Sequence, residues 1–233
     1  MPEHADSDLD PAVEAVDLTK DYGDLVALEP LDLVVAPGES VALIGHNGSG
    51  KSTFLRLAAA LLEPSDGYID IAGWPAGSAE ARATTSFLPD EPVLYDDLSV
   101  REHAEYISRL HGGPGWDDYA EELARRLSLL DRVDDLPSRF SRGLRQKTSI
   151  ILALVRPFSL MLVDEPFVGL DQGGKTALLE LFDEVHDDGA ALIVATHTPE
   201  YVERVERCIA LRDGAVVFDG RASVDDVMRL VTA

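Results

Sequence analysis

Apolar and polar positions along the chain follow two recurring patterns. Short apolar runs bounded by turn residues are typical of strands, and longer segments that end at Gly and Pro breakers favour helices. The first pattern predicts strands over residues 13–18, 25–35, 40–44, 68–72, 85–88, 160–163, 190–195, 208–211 and 215–219. The second predicts helices over residues 53–62, 99–110, 119–130, 144–155, 174–186, 199–206 and 224–231.

The order of these elements indicates an α/β core with a helical insertion. Strands and helices alternate before about residue 90 and after about residue 158, whereas the residues between favour helices. Alternation of this kind is typical of α/β folds. We therefore expect one domain over residues 14–233, with a helical subdomain over about 90–158 and a flexible acidic tail over residues 1–13.

The charge of the chain limits its partners. The 233 residues carry a formal net charge of −23, whereas a surface that binds nucleic acid needs a basic patch. The same charge argues against direct binding of anionic lipid headgroups. Genome composition or a saline cytoplasm would also account for the charge, and under that interpretation it indicates no function. We expect no nucleic-acid partner.

Three further features favour a cytoplasmic chain. Cys208 is the single cysteine, so no intrachain disulfide can form. No stretch approaches the length of about 18 apolar residues that would cross a membrane. The first residues are acidic and lack the basic start and apolar segment of a signal peptide.

A glycine-rich motif directly after the predicted strand 40–44 indicates a phosphate-binding site. Backbone N–H groups in such a turn form a nest around a phosphate, and the helix that follows directs its positive dipole end to the same place. Lys51 can reach the β- and γ-phosphates, and the Ser52 hydroxyl can bind Mg²⁺. The motif, called the phosphate loop below, comprises Gly45, His46, Asn47, Gly48, Ser49, Gly50, Lys51, Ser52 and Thr53.

Two acids end the predicted strand 160–163. Asp164 and Glu165 follow its apolar residues directly, and ligands in open α/β sheets bind at strand ends. Asp164 is placed to hold Mg²⁺, and Glu165 to orient or deprotonate the water that attacks a γ-phosphate. Acids at a strand end can also be simply solvated, but the phosphate loop upstream favours the functional interpretation.

The residues Phe-Ser-Arg-Gly-Leu-Arg-Gln over 140–146 complete a set of motifs in a recognisable order. The chain resembles the nucleotide-binding subunit of an ATP-binding cassette (ABC) transporter over residues 14–220, and this segment stands where that family has its LSGGQ signature. The resemblance implies an α/β fold, namely a P-loop NTPase core of the ABC type with an antiparallel β subdomain and an inserted helical subdomain. It also implies that Ser141, Arg142 and Gly143 face ATP held by a second subunit in a head-to-tail dimer.

The resemblance assigns further residues. Gly169 to Asp171 resemble the D-loop, which crosses the dimer interface, and His197 resembles the switch histidine that contacts the γ-phosphate. Tyr22 resembles the aromatic residue that stacks on adenine. Without this context, a histidine at a strand end and a tyrosine in a hairpin would both be taken as structural.

Two motifs depart from the family pattern, one at Asp90 and the other, the signature, at Arg142 and at Leu144, which replaces its glutamine. Asp90 stands where the family usually has Gln, so it either binds Mg²⁺ or a water, or only faces the membrane partner. A carboxylate there adds negative charge near Glu165, which would raise a carboxyl pKa unless a metal compensates. Arg142 replaces the first glycine of the signature, where it either adds a cation near the γ-phosphate or is solvated.

The resemblance implies an Mg²⁺-dependent ATPase that powers a transporter. The form of the signature resembles bacterial exporters, which points to export through a separate transmembrane permease subunit. A second copy of this chain or a related ATPase would complete the dimer on the inner face of the membrane. Residues 95–110 would dock the permease, although core packing explains their pattern equally well. The alternative is an ABC ATPase that acts as a mechanical or signalling switch at the membrane.

Overall fold

Two β-sheets and seven helices organise the chain, for which the computed structural model describes residues 10–113, 115–223 and 226. The strands are β1 (Val13–Tyr22), β2 (Leu25–Val35), β3 (Ser40–Ile44), β4 (Asp66–Ile71), β5 (Trp74–Pro75), β6 (Thr85–Leu88), β7 (Leu160–Asp164), β8 (Ala191–Ala195), β9 (Arg207–Arg212) and β10 (Ala215–Gly220). The helices in that described part are α1 (Lys51–Ala58), α2 (Ala79–Thr84), α3 (Val100–His111), α4 (Trp116–Arg126), α5 (Arg142–Leu154), α6 (Gln172–Asp187) and α7 (Pro199–Val202).

The larger sheet brings several loops to one edge. Its strand order is β10-β9-β3-β8-β7-β6, and all neighbours are parallel except β9 and β10. The carboxyl ends of parallel strands meet at the same edge of a sheet, where ligands bind in open α/β folds. The loops that follow β3, β7 and β8 therefore lie side by side. The smaller sheet is antiparallel, with the order β2-β1-β4-β5.

Alternating side chains of the larger sheet enter two separate cores. In β3, Val41 and Leu43 pack in a cluster with α1 and the antiparallel sheet, whereas Ala42 and Ile44 pack with α5 and α6. This alternation follows from the two-residue period of a strand. Helix α1 is consequently enclosed between the two sheets, and the phosphate loop at its start is held at both ends.

The segment between β6 and β7 is helical. Its described residues form α3, α4, α5 and two short 3-10 turns, and they contain no strand. A capping box starts α3, in which the Ser99 side chain accepts from the Glu102 backbone and Glu102 accepts from the Ser99 backbone. The predicted α/β fold with an antiparallel β subdomain and an inserted helical subdomain is confirmed.

Some element ends differ from the predictions. Helix α1 ends at Ala58 instead of residue 62, because Ala60 adopts a left-handed φ of 53° and the Leu61 and Leu62 amides both donate to Arg56 O. Glycine usually occupies such a position, so alanine there provides no stop signal. Helix α7 ends at Val202 instead of residue 206, and the short elements α2 and β5 were not predicted.

Both predicted terminal segments lie largely outside the described residues. Residues 1–9 of the predicted acidic tail lie outside the described residues. Ala12, which was also assigned to the tail, is buried, and its carbonyl accepts a hydrogen bond from Ala72 N at 3.3 Å. The predicted helix over 224–231 falls outside as well, apart from Asp226. Within the described ranges, no helix combines the length and apolar character needed to span a bilayer.

Candidate functional site

The phosphate loop joins β3 to α1, as its motif predicts. Helix α1 begins at Lys51, and Gly50 precedes it with a left-handed φ of 107°. No side chain caps this helix, so its first N–H groups remain available to a ligand. A helix start without a cap at the edge of the sheet is suited to binding an anion such as phosphate.

Lys51 lies over the phosphate loop as a buried cation. Its Nζ donates to Gly45 O at 2.7 Å and to His46 O at 3.3 Å, and the residue is 6% exposed. Burial lowers the pKa of Lys51, while the negative charges of Glu165 and Asp164 oppose that shift. An incoming phosphate would supply the anionic contact that Lys51 has only at longer range, since Glu165 Oε1 is 4.0 Å away.

Asp164 is the last residue of β7 and is almost completely buried. Its Oδ1 has no hydrogen-bond partner among the described residues. Burial raises the pKa of Asp164, the neighbouring Ser52 hydroxyl opposes this rise, and the charge of Asp90 adds to it. A buried carboxylate oxygen without a partner, next to a hydroxyl, offers the hard oxygen ligands that Mg²⁺ prefers.

Glu165 lies between Lys51 and His197 on a strained backbone. Its φ is 43°, a left-handed value that is uncommon for residues other than glycine and is often found at functional sites. Its Oε2 is 3.1 Å from His197 Nδ1, and its amide donates to Ala195 O at 2.9 Å. Burial raises the pKa of Glu165, opposed first by His197 and then by Lys51. Such a carboxylate can orient a water molecule and accept its proton.

His197 approaches this site from the loop after β8. Its side chain is 64% exposed, so the ring contacts Glu165 on one side and remains open to a ligand on the other. The adjacent turn is closed by Thr198 N, which donates to the Oγ1 of the buried Thr196 at 3.0 Å. The structure thus brings together the four side chains of Lys51, Asp164, Glu165 and His197.

A cleft of about 460 Å³ connects the phosphate loop to the antiparallel sheet. Tyr22 lies on its wall and is 52% exposed, with Lys20 Nζ 5.1 Å from the ring centroid. An exposed aromatic face beside a phosphate-binding loop can stack on a planar base. The lining comprises Tyr22, Leu25, Val26, Ala27, Asn47, Gly48, Ser49, Gly50, Lys51, Ser52, Thr53, Arg56, Asp90 and Glu165.

The residues of the signature motif lie apart from this cleft. Ser141 caps α5, and its Oγ accepts from Leu144 N at 3.3 Å. Ser141 and Arg142 are both exposed, and neither contributes to the cleft wall. Gly143 packs so closely on the backbone of Gly169 that a Cβ atom would lie 2.6 Å from its carbonyl oxygen. The start of α5 is therefore held against the loop that follows Glu165.

The two departures from the family pattern contact each other. Arg142 Nη2 lies 3.7 Å from Asp90 Oδ1, and Arg145 Nη2 donates to Pro92 O at 3.4 Å. The interpretations of Asp90 and Arg142 made from the sequence did not include this ion pair. The signal that could have revealed it is the appearance of opposite charges at two motif positions that are usually uncharged. Because both side chains are exposed, the pair itself contributes only about 0–1 kcal/mol to stability.

The sequence predicts a turn at Asp213-Gly214 between β9 and β10, but it assigns this turn no role at the site. Asp213 Oδ1 lies 3.6 Å from His46 Nε2, and Gly214 N donates to Ser49 O at 3.1 Å. Asp213-Gly214 is a familiar turn signal, but the sequence does not reveal what the turn contacts.

We expect Asp164→Asn to stabilise the chain without nucleotide or metal by about 1–2 kcal/mol at pH 7, because it removes a buried carboxylate with an unpaired oxygen. The pKa of Asp164 is raised above its ordinary value of 3.8, so the folded wild type binds this proton more tightly than the unfolded chain. Wild-type stability should therefore approach that of the variant as pH falls. Urea unfolding at several pH values measures both free energies.

The control for this prediction is Asp97→Asn, which changes an exposed aspartate in the same way. Its unfolding free energy should stay within about 0.5 kcal/mol of the wild type, as for most surface substitutions. A nucleotide-free Asp164→Asn chain that is less stable than the wild type at pH 7 would contradict the electrostatic explanation.

Comparison with known proteins shows which family the chain resembles. The model of the family described as ABC transporter matches residues 28–168. Macrolide export ATP-binding/permease protein MacB of Rhodopseudomonas palustris is 37% identical over 88% of this chain and 33% of its own length. SkfA peptide export ATP-binding protein SkfE of Bacillus subtilis is 34% identical over 89% of this chain and 88% of its own length. The chain therefore spans about one third of MacB but most of SkfE.

Solved structures share the same fold over nearly the whole chain. The ATP-binding subunit of an ABC transporter is similar with a TM-score of 0.87 and 33% identity, covering 94% of this chain and 99% of that one. An ATP-binding cassette solved as a dimer in a post-hydrolysis state with ADP and Pi has a TM-score of 0.82 and 26% identity, covering 90% and 98%. Since the motifs, the fold and these matches agree, the chain belongs to the ABC transporter family.

Proposed function

We propose that this chain is the ATP-binding and ATP-hydrolysing subunit of an export-type ABC transporter and works through a separate membrane-spanning partner. The observation that carries the proposal is the convergence of Lys51, Asp164, Glu165 and His197, of which Lys51 and Glu165 line the cleft. The printed names of MacB and SkfE, which specify export of a macrolide and of a peptide, support the export direction.

ATP would occupy the cleft with its phosphates in the phosphate loop. The residues from Gly45 to Thr53 provide backbone N–H groups and the start of α1, and Lys51 neutralises the β- and γ-phosphates. The exposed ring of Tyr22 would stack on the adenine. Ser49 lines the same cleft, and its buried Oγ has no partner among the described residues.

Ser52 and Asp164 would hold Mg²⁺, with Asp90 nearby. The buried Asp164 and its partnerless oxygen fit this role, because a cation would compensate the charge that burial disfavours. Bound Mg²⁺ supplies charge neutralisation at the phosphate oxygens. Asp90 is exposed enough to reach the metal or a water molecule, and it lines the same cleft.

Glu165 and His197 would perform the hydrolytic step. Glu165 would orient the attacking water and accept its proton, for which its raised pKa and its position near Lys51 are suited. His197 would hold Glu165 through the 3.1 Å contact and direct its exposed side toward the γ-phosphate. Loss of the γ-phosphate would then remove one of the partners of His197.

A second copy or a related ATPase would complete the site. Ser141, Arg142 and Gly143 are proposed to contact ATP held by that partner, since they lie at the start of α5 and outside the chain's own cleft. Arg142 would exchange its weak contact with Asp90 for a phosphate of that ATP. In this head-to-tail arrangement, the exposed Arg142 at the start of α5 would be available to the ATP of the partner.

The permease would dock beside the segment that follows β6. An apolar groove of about 340 Å³ lies there, lined by residues that include Leu61, Phe87 and Ile107. Val93 at its rim is 88% exposed, and it lies close to Asp90 along the chain. A cytoplasmic helix of the permease in this groove would therefore be linked to the nucleotide site, and the chain would lie on the inner face of the membrane.

The shares of the relatives that the chain matches indicate which part of a transporter it corresponds to. MacB is named an ATP-binding/permease protein, and the chain covers only 33% of it. SkfE is named an ATP-binding protein, and the chain covers 88% of it. This chain therefore corresponds to the ATP-binding part.

The proposed function is tested by purification from membranes. A tagged Glu165→Gln chain in Mg-ATP should retain a membrane protein with several spans in stoichiometric amount from detergent-solubilised membranes, identified by mass spectrometry. Adding Val93→Arg should abolish this association, whereas Val217→Arg, a control at another exposed valine, should preserve it. Recovery of soluble partners alone, or of none, would contradict the transport proposal.

A further inference from the structure

The turn between β9 and β10 connects the phosphate loop to the antiparallel sheet. Gly214 N donates to Ser49 O in the phosphate loop at 3.1 Å, and Gly214 O accepts from Glu29 N in β2 at 2.9 Å. One residue thus uses both of its backbone polar groups to join two structures that are distant along the chain. Gly214 is buried, so water does not compete effectively for these hydrogen bonds.

Both backbone conformation and space favour glycine at this position. Gly214 has a φ of +82°, which other residues rarely adopt. A Cβ atom there would lie 3.0 Å from Glu29 N, 3.1 Å from Leu28 Cα and 3.2 Å from Ala27 O. All three atoms belong to the backbone of β2, which moves aside less readily than the end of a flexible side chain.

The phosphate loop also packs directly against β2, β9 and the turn between β9 and β10. A Cβ atom on Gly50 would lie 2.9 Å from Ala27 O and 3.5 Å from Gly214 Cα, and one on Gly45 would lie 2.3 Å from Leu211 O at the end of β9. The backbone of the loop therefore lies against β2, β9 and the turn at once.

The two structures that the turn joins are the two walls of the cleft. The phosphate loop forms one wall, and Leu25, Val26 and Ala27 of β2 together with Tyr22 form the other. A nucleoside triphosphate bound as proposed above would contact both walls, whereas inorganic tripolyphosphate would need only the phosphate loop. A change in the spacing between the walls would therefore affect the binding of these two ligands differently.

We propose that Gly214 is a positioning residue that sets the distance between the phosphate wall and the base wall of the cleft, and thereby favours nucleoside triphosphates over phosphate chains. The proposal rests on the proposed nucleotide site and adds an element outside the recognised motifs. Gly214 itself contacts no ligand. Its effect passes through Ser49 on one side and Glu29 on the other.

The first experiment measures ligand affinity of Gly214→Ala by calorimetry. ATP binding should weaken about tenfold, since displacements of well under an ångström at a binding site have effects of this order. Tripolyphosphate binding should weaken less than about threefold, because one wall is sufficient for it. Equal losses for both ligands, or no loss for ATP, would overturn the spacing role.

Gly189→Ala is the matched control. Gly189 has a similar φ of +89°, but a Cβ atom there would have no neighbour within 4 Å. The control therefore introduces the same backbone strain without the collision, and its ATP affinity should equal that of the wild type. If Gly189→Ala weakens ATP binding as much as Gly214→Ala, general destabilisation explains the effect and the proposal fails.

Hydrogen exchange of the wild type provides a second test that does not depend on the folding of a variant. ATP should slow exchange of the Gly214 and Glu29 amides at least about threefold more than tripolyphosphate does, because ATP contacts both walls. Unchanged exchange of both amides with ATP would contradict the proposal. A wild-type chain that binds tripolyphosphate but not ATP would instead contradict the proposed function, and the spacing role with it.

Discussion

Glu165→Gln is expected to lower the rate of ATP hydrolysis by about 10²–10⁴-fold, the usual contribution of a general base. Glutamine preserves the size of the side chain and can still contact His197, which lies 3.1 Å from Glu165 Oε2, but it cannot accept a proton from water. ATP should remain bound, because Lys51 and the phosphate loop are unchanged. The variant should therefore accumulate as an ATP-bound dimer.

Three measurements check this expectation. Steady-state phosphate release gives the rate, equilibrium binding of ATP gives the affinity, and size-exclusion chromatography with Mg-ATP gives the dimer. Glu200→Gln is the control, because Glu200 is an exposed glutamate in α7, close in sequence to His197. Hydrolysis by Glu165→Gln at the wild-type rate would contradict the role proposed for Glu165.

Lys51→Met is expected to weaken ATP binding by about 30- to 150-fold, the equivalent of a charged hydrogen bond worth about 2–3 kcal/mol. Methionine fills the space of the buried lysine stem but provides no cation for the phosphates. It also leaves Glu165 and Asp164 without the positive charge that opposes the rise in their pKa values. Hydrolysis should fall at least as far as binding does.

The affinity can be measured by calorimetry and by the rise in melting temperature that ATP produces. The control is Lys175→Met, which removes a partly buried lysine of α6 outside the cleft. Lys175→Met should bind ATP like the wild type. An unchanged ATP affinity in Lys51→Met would show that Lys51 does not contact the phosphates.

The local parts of the site were predictable from sequence because each depends on neighbouring residues. The phosphate loop needs glycines for its backbone and a helix start directly after it, and both are encoded within nine positions. Asp164 and Glu165 were predictable at the edge of the sheet, because they follow an apolar strand directly. The order of the remaining motifs supplied the family resemblance, which the comparisons confirmed.

Other features depend on residues that are far apart along the chain. The ion pair between Asp90 and Arg142 joins the segment after β6 to the start of α5. Nothing in the sequence around either residue indicates that the two side chains lie close together. The end of α1 at Ala58 was mispredicted, because an alanine adopts the left-handed conformation there.

The sequence alone therefore determined the class of fold, the phosphate loop and the acids at the strand end, because short-range patterns of glycine, apolar and charged residues specify them. The tertiary structure decided how these parts are spaced. It placed Gly214 between Ser49 and Glu29 and His197 beside Glu165. These contacts follow from strand order and from close packing of backbone atoms, which hydrophobic periodicity does not encode.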